Sequence, residues 1–99
     1  MIHIKITPLF ESILNHNKKN FSSFHTPGHK GKFPVNYDFN TFDLTELPDT
    51  DSLYDANDSI LKSEINASKI FNSKKTIFSA SGCTLCIQTM LKLVCSPGD

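Results

Sequence analysis

Thr76-Ile77-Phe78 is a β-branched and aromatic run that reads as a short buried strand. It passes through a turn of small residues, Ser79-Ala80-Ser81-Gly82, into an apolar helix. That helix is predicted over 84–94, with Leu85, Ile87, Met90, Leu91, Leu93 and Val94 as its apolar positions, and Ser96-Pro97-Gly98-Asp99 is a stop followed by a turn. A strand followed by a crossover helix requires a second strand to return beside the first. No such strand is written before Asp99. The expected fold is therefore α/β with an incomplete parallel sheet, in a chain that is truncated or a fragment of a longer one.

Upstream of that strand the order is helix, loop, irregular stretch, helix. Thr7-Pro8 opens the first helix: Thr can cap free amides, and Pro fits the position where its missing N–H loses nothing. Leu9, Phe10, Ile13 and Leu14 then share one face, and the helix fades in Asn15-His16-Asn17-Lys18-Lys19-Asn20. His25-Thr26-Pro27-Gly28-His29-Lys30-Gly31 is a loop. Residues 33–57 mix aromatics with acids in no clear period, an excursion that compact domains rarely carry without a use for it. A helix capped by Asp58 or Ser59 follows, with Leu61, Ile65, Ser68 and Phe71 expected along its buried stripe. Three units are expected: an arm with its loop (1–32), an irregular segment (33–57), and the start of a larger domain (58–99). Only 38% of the 99 residues are hydrophobic, which is lean for a self-sufficient core.

Ten lysines balance ten acids, and arginine is absent. Nothing supplies the basic stripe that nucleic acid or an anionic membrane would need. The opening Met1-Ile2-His3-Ile4-Lys5 has no apolar signal region, and no run approaches a membrane span. A cytoplasmic chain is expected. The three cysteines, 83, 86 and 95, crowd into the last fifth, unlike a disulfide framework, and are expected to be reduced.

Three constellations could carry chemistry. Ser81-Gly82-Cys83-Thr84 lies where a strand meets a helix N-terminus, so its amides carry partial positive charge and small residues let an anion approach. The turn suits one phosphate group, with Thr84 adding a hydroxyl; an ordinary strand-to-helix connection would look the same. Neither the Walker pattern nor GxGxxG is present. His25 and His29 flank Pro27-Gly28, which argues against a helix carrying metal ligands, and no acid or cysteine lies close by in sequence. No metal is expected. With Lys30 they could present imidazoles and an ammonium to an anionic ligand, or form a solvated polar turn. Cys83-x-x-Cys86 at a helix start has the spacing of a thiol redox pair, but its flanking residues do not, and Cys86 and Cys95 read as small packing residues. Asp43 and Glu46 could in principle be an acid/base pair; a solvated loop is the simpler reading.

Four segments in order resemble the Orn/Lys/Arg decarboxylase family. They are Thr7-Pro8-Leu9-Phe10-Glu11; Phe24-His25-Thr26-Pro27-Gly28-His29-Lys30-Gly31; Asp43-Leu44-Thr45-Glu46-Leu47 with Asp51-Ser52-Leu53; and Ile77 to Asp99. The short lead-in before Thr7 resembles the compact form of these enzymes, without a wing domain. The resemblance implies the N-terminal part of a pyridoxal 5'-phosphate-dependent major domain of aspartate-aminotransferase fold. It also implies a lyase that decarboxylates arginine, lysine or ornithine to a polyamine precursor and works as a homodimer or larger. By the same resemblance Ser81, Gly82, Cys83 and Thr84 would bind the cofactor phosphate, and His25, His29 and Lys30 would lie at the active-site entrance. The family's Schiff-base lysine, in a Ser-x-His-Lys setting, and its pyridinium-pairing aspartate come after the phosphate turn, so no catalytic residue is expected within these 99 and the chain alone is expected to be inactive. The family usually has Ser or Thr at the Cys83 position and Ala or Gly at those of Leu85 and Cys86. A non-catalytic remnant with an anion-binding turn, and a small thiol redox protein using Cys83 and Cys86, remain as alternatives.

Overall fold

The structure is a computed structural model and describes residues 6–30 and 41–99. The lead-in over 1–5, Gly31 of the histidine loop, and the first part of the irregular stretch lie outside the described residues. Three helices form: α1 (Pro8–Lys18), α2 (Ser59–Ile70) and α3 (Gly82–Val94).

Pro8 takes the first position of α1 as expected, but the Thr7 hydroxyl does not cap. The Glu11 carboxylate instead accepts from the Thr7 N–H at 3.2 Å, and the free Leu9 N–H donates to the Ser63 hydroxyl of α2 at 3.2 Å. One orphan amide at the start of α1 is thus satisfied by its neighbour helix. Between the two helices, Leu9, Phe10, Ile13, Ala67, Ile70 and Phe78 line an apolar groove of about 490 Å³.

The buried face of α2 differs from the one read in the sequence. Ser59, Ile60 and Glu64 are buried, whereas Ile65 and Phe71 are exposed. Capping comes from neither Asp58 nor Ser59. Asp58 pairs its carboxylate with Lys62. Asp51, seven residues further back, accepts from the N–H groups of Asp58 and Ile60 at 2.9 Å each, and also from Asn57 and Ser52. Its φ of +71° bends the chain so that one carboxylate reaches all four. Burial alone would raise the Asp51 pKa; the four amides overcome that and hold it well below the usual carboxylate range.

The α/β expectation fails: the fold is helical, with no strand or sheet among the described residues. Thr76-Ile77-Phe78 is unpaired because a strand exists only through a neighbour's ladder, and no described segment runs beside it. Its Phe78 N–H finds a side chain, the buried Glu64 carboxylate, at 2.8 Å. From Ser79 to Asp99 every residue is exposed, including Leu85, Ile87, Met90, Leu91, Leu93 and Val94 of α3. Cys83, Cys86 and Cys95 are exposed free thiols, so the packing role read for Cys86 and Cys95 is not met here.

Candidate functional site

The turn into α3 is built from local sequence. Gly82 has a φ of +76°, a left-handed conformation that glycine adopts without the penalty of a Cβ. A Cβ placed there would meet nothing within 4 Å, so the backbone is open to approach. Ser81 makes no side-chain cap. The amides of Gly82, Cys83 and Thr84 have no acceptor among the described residues. Free N–H groups at the positive end of a 13-residue helix are the kind of donor set that could hold an anion such as a phosphate.

A second group surrounds the turn. The Tyr54 phenol oxygen lies 3.4 Å from the Ser81 hydroxyl and 3.4 Å from the Ala80 amide nitrogen. Hydrogen bonding with Ser81, and then with the Ala80 N–H and Ser79, lowers the phenol's pKa below its ordinary value. Tyr54 follows a loop fastened by Glu46, whose carboxylate accepts from the Ser52 hydroxyl at 2.9 Å and the Leu53 N–H at 2.8 Å. Glu46 is exposed, as the solvated-loop reading expects, and it also fastens that loop.

His25, His29 and Lys30 do come together. They line a hollow of about 270 Å³ whose other lining includes His16, Phe21 and Asp43. Lys30 donates its ammonium to the His25 carbonyl. The His25 Nδ1 stands 2.6 Å from the Thr26 carbonyl, and the peptide bond between Thr26 and Pro27 is cis. His29 Nε2 meets the Asp43 carboxylate at 3.1 Å. The His16 and His25 rings stand edge to face at 6.1 Å, and His16 Nδ1 faces the Asp49 carboxylate at 3.0 Å. Lys19 donates to the same carboxylate at 2.6 Å. The hydrogen bonds from Lys19 and then His16 hold the Asp49 pKa at about 2.

Sequence reasoning found the histidine loop and the α3 turn. It missed Asp43 and Tyr54 as their partners, because they are joined across 14 and 27 residues with no local signal, and it missed His16, which stands against His25 while holding Asp49 across 33 residues. The hollow includes no residue of α3, so the two groups are not brought into one cavity by it. No group of three or more His, Cys, Asp or Glu among the described residues could hold a metal ion, and no described helix is long and apolar enough to cross a membrane.

The family described as Orn/Lys/Arg decarboxylase, major domain, matches residues 7–99. Among curated proteins, the chain is similar to an arginine decarboxylase of Bacillus anthracis, 34% identical over 94% of this chain and 20% of that protein. It is similar to arginine decarboxylases of Bacillus subtilis (strain 168), at 31%, and Halalkalibacterium halodurans, at 32%, each over 94% of this chain and 21% of the relative. The chain thus spans about a fifth of the length of the relatives it matches. No solved structure matches it. With the match running from the start of α1 through α3, the chain belongs to the Orn/Lys/Arg decarboxylase family.

Proposed function

We propose that this chain supplies the cofactor-phosphate turn and part of the entrance of a pyridoxal 5'-phosphate-dependent decarboxylase of a basic amino acid. Arginine is the substrate favoured by the names of the relatives. The carrying observation is the start of α3, where the open Gly82 turn and the unpartnered amides of Gly82, Cys83 and Thr84 fit one phosphate. Pyridoxal phosphate, when bound, supplies the electron sink for the pair left behind as the α-carboxylate departs.

Within that reaction the chain's own residues bind and orient. The α3 amides and the Thr84 hydroxyl hold the phosphate, with Ser81 beside them. His25, His29 and Lys30 give the entrance a rim of imidazoles and an ammonium, and Lys30 also braces the loop through the His25 carbonyl. The α-carboxylate leaves as carbon dioxide, and a proton replaces it on the α-carbon. Residues 58–99 are the proposed start of the cofactor-binding domain, with 1–32 as an arm and 33–57 as the connecting loop segment. The expectations of a homodimeric or larger, cytoplasmic enzyme making a polyamine precursor belong to this same reading. So does the inactivity of the 99 residues alone.

The test is a chimera in which this chain replaces the matching N-terminal fifth of the Bacillus subtilis arginine decarboxylase. Release of carbon dioxide from arginine, with cofactor absorbance retained, is the expected result. The chain alone should release none. A chimera that folds as the parent does but fails to retain cofactor would overturn the reading.

A further inference from the structure

Tyr54 is aimed at the α3 turn by its loop and not by packing of its ring, which is 66% exposed. The two residues before it are fixed by the Glu46 carboxylate, and its oxygen arrives beside Ser81 and Ala80 across 27 and 26 residues of chain. A phenol has one hydrogen to give and lone pairs to receive. The Ala80 N–H points at the oxygen and takes the accepting side. The hydrogen is left to the Ser81 and Ser79 hydroxyls, and the Ser81 contact, at 3.4 Å, is longer than the usual 2.5–3.0 Å of an O–H···O bond. Ser81 can equally accept from elsewhere, so the phenolic hydrogen is available to a stronger acceptor at the turn.

We propose that Tyr54 is a ligand of the anion held at the start of α3, donating its phenolic hydrogen to a phosphate oxygen alongside the Gly82–Thr84 amides and the Thr84 hydroxyl. The inference rests on the cofactor reading above and adds to it a side chain from outside the turn. It also gives the irregular segment a use: the Glu46-fastened loop delivers a donor to a site that α3 alone leaves open on one side. A charge-assisted bond from a phenol to a phosphate is stronger than the long contact it replaces.

The chain has no tryptophan and two tyrosines, Tyr37 and Tyr54, so a Tyr37→Phe protein emits from Tyr54 alone. Inorganic phosphate is the probe, with chloride matched for ionic strength. Saturable quenching of the Tyr37→Phe emission is expected, and a ring that is only structural would show none. Tyr54→Phe should weaken phosphate binding, read by phosphorus NMR, by about tenfold. Far-UV circular dichroism checks that Tyr54→Phe keeps its helices; if it does not, the Tyr37→Phe quenching still decides. Unquenched emission, or Tyr54→Phe binding as the parent does while Thr84→Ala is weakened, overturns the Tyr54 inference and leaves the cofactor turn standing. A parent chain that binds neither inorganic phosphate nor pyridoxine 5'-phosphate (an analogue without the aldehyde that lysines would capture) removes both.

Discussion

Asp49 and Asp51 stand two residues apart, yet their charges are held by different chemistry. Asp49 takes side-chain donors, the Lys19 ammonium and the His16 imidazole, and its pKa falls from 3.8 to about 2. A carboxyl whose folded pKa lies below its unfolded value stabilises the fold above the unfolded pKa, and loses that contribution as pH falls through the folded one. The Asp49 contribution is therefore complete above about pH 4 and gone near pH 2. Asp49→Asn should lower stability at neutral pH and flatten the fall in helicity between those limits, followed by urea titration at several pH values. Added salt should narrow the difference, because Lys19 is an exposed partner. A second single-residue effect belongs to Cys83. A thiol is a weaker donor than a hydroxyl, so Cys83→Ser should tighten phosphate binding by roughly 1 kcal/mol. Unchanged affinity in calorimetric titration with pyridoxine 5'-phosphate would mean that the position 83 side chain does not face the anion.

Among the helices, legibility in the sequence tracks how local the cause is. Pro8 at the first position of α1, and the Ser81-Gly82 turn before α3, are short-range signals, and both helices lie where they were expected. The face of α2 was misread because two of its three buried members, Ser59 and Glu64, are polar and bond to partners outside the helix. Glu64 turns inward to accept from Phe78, fourteen residues on, and Ser63 to meet Leu9, across 54 residues. The α2 cap was misplaced for the same reason, since Asp51 reaches forward over a bend that no cap pattern describes. The histidine loop was legible as a motif while the acid it meets, Asp43, was not. Replacing Asp51 should consequently act on a whole helix. Asp51→Ala strips acceptors from four backbone N–H groups and forces alanine into a left-handed φ, at a cost of about 2 kcal/mol or more. Asp51→Asn keeps one carbonyl acceptor and tolerates that φ, so it should cost less. Thermal melts of the two variants, read by far-UV circular dichroism, give the order; equal losses would contradict the cap.

At the scale of the whole chain, burial and shape agree. Ile60 is the one buried hydrophobic residue among those described, and the radius of gyration is 17.0 Å, against about 13 Å for a compact domain of this length. The strand expected at 76–78 would have tied α3 to a sheet; without a pairing partner, α3 extends with its apolar residues in water. Leu85 is 40% exposed and Leu93 80%, with Ile87, Met90, Leu91 and Val94 between them. Apolar surface gathered on one helix in this way drives association, because each leucine buried between chains recovers about 1.5–3 kcal/mol. The net charge is zero, so no long-range repulsion opposes it. The purified chain should therefore associate with increasing concentration in sedimentation velocity. Leu91→Gln combined with Leu93→Gln should shift it toward monomer, while the α1–α2 contacts at Leu9 and Ser63 are untouched. If the parent chain stays monomeric at tens of micromolar with its helicity intact, α3 must be covered from within the chain, and the exposed arrangement described for residues 79–99 would be wrong.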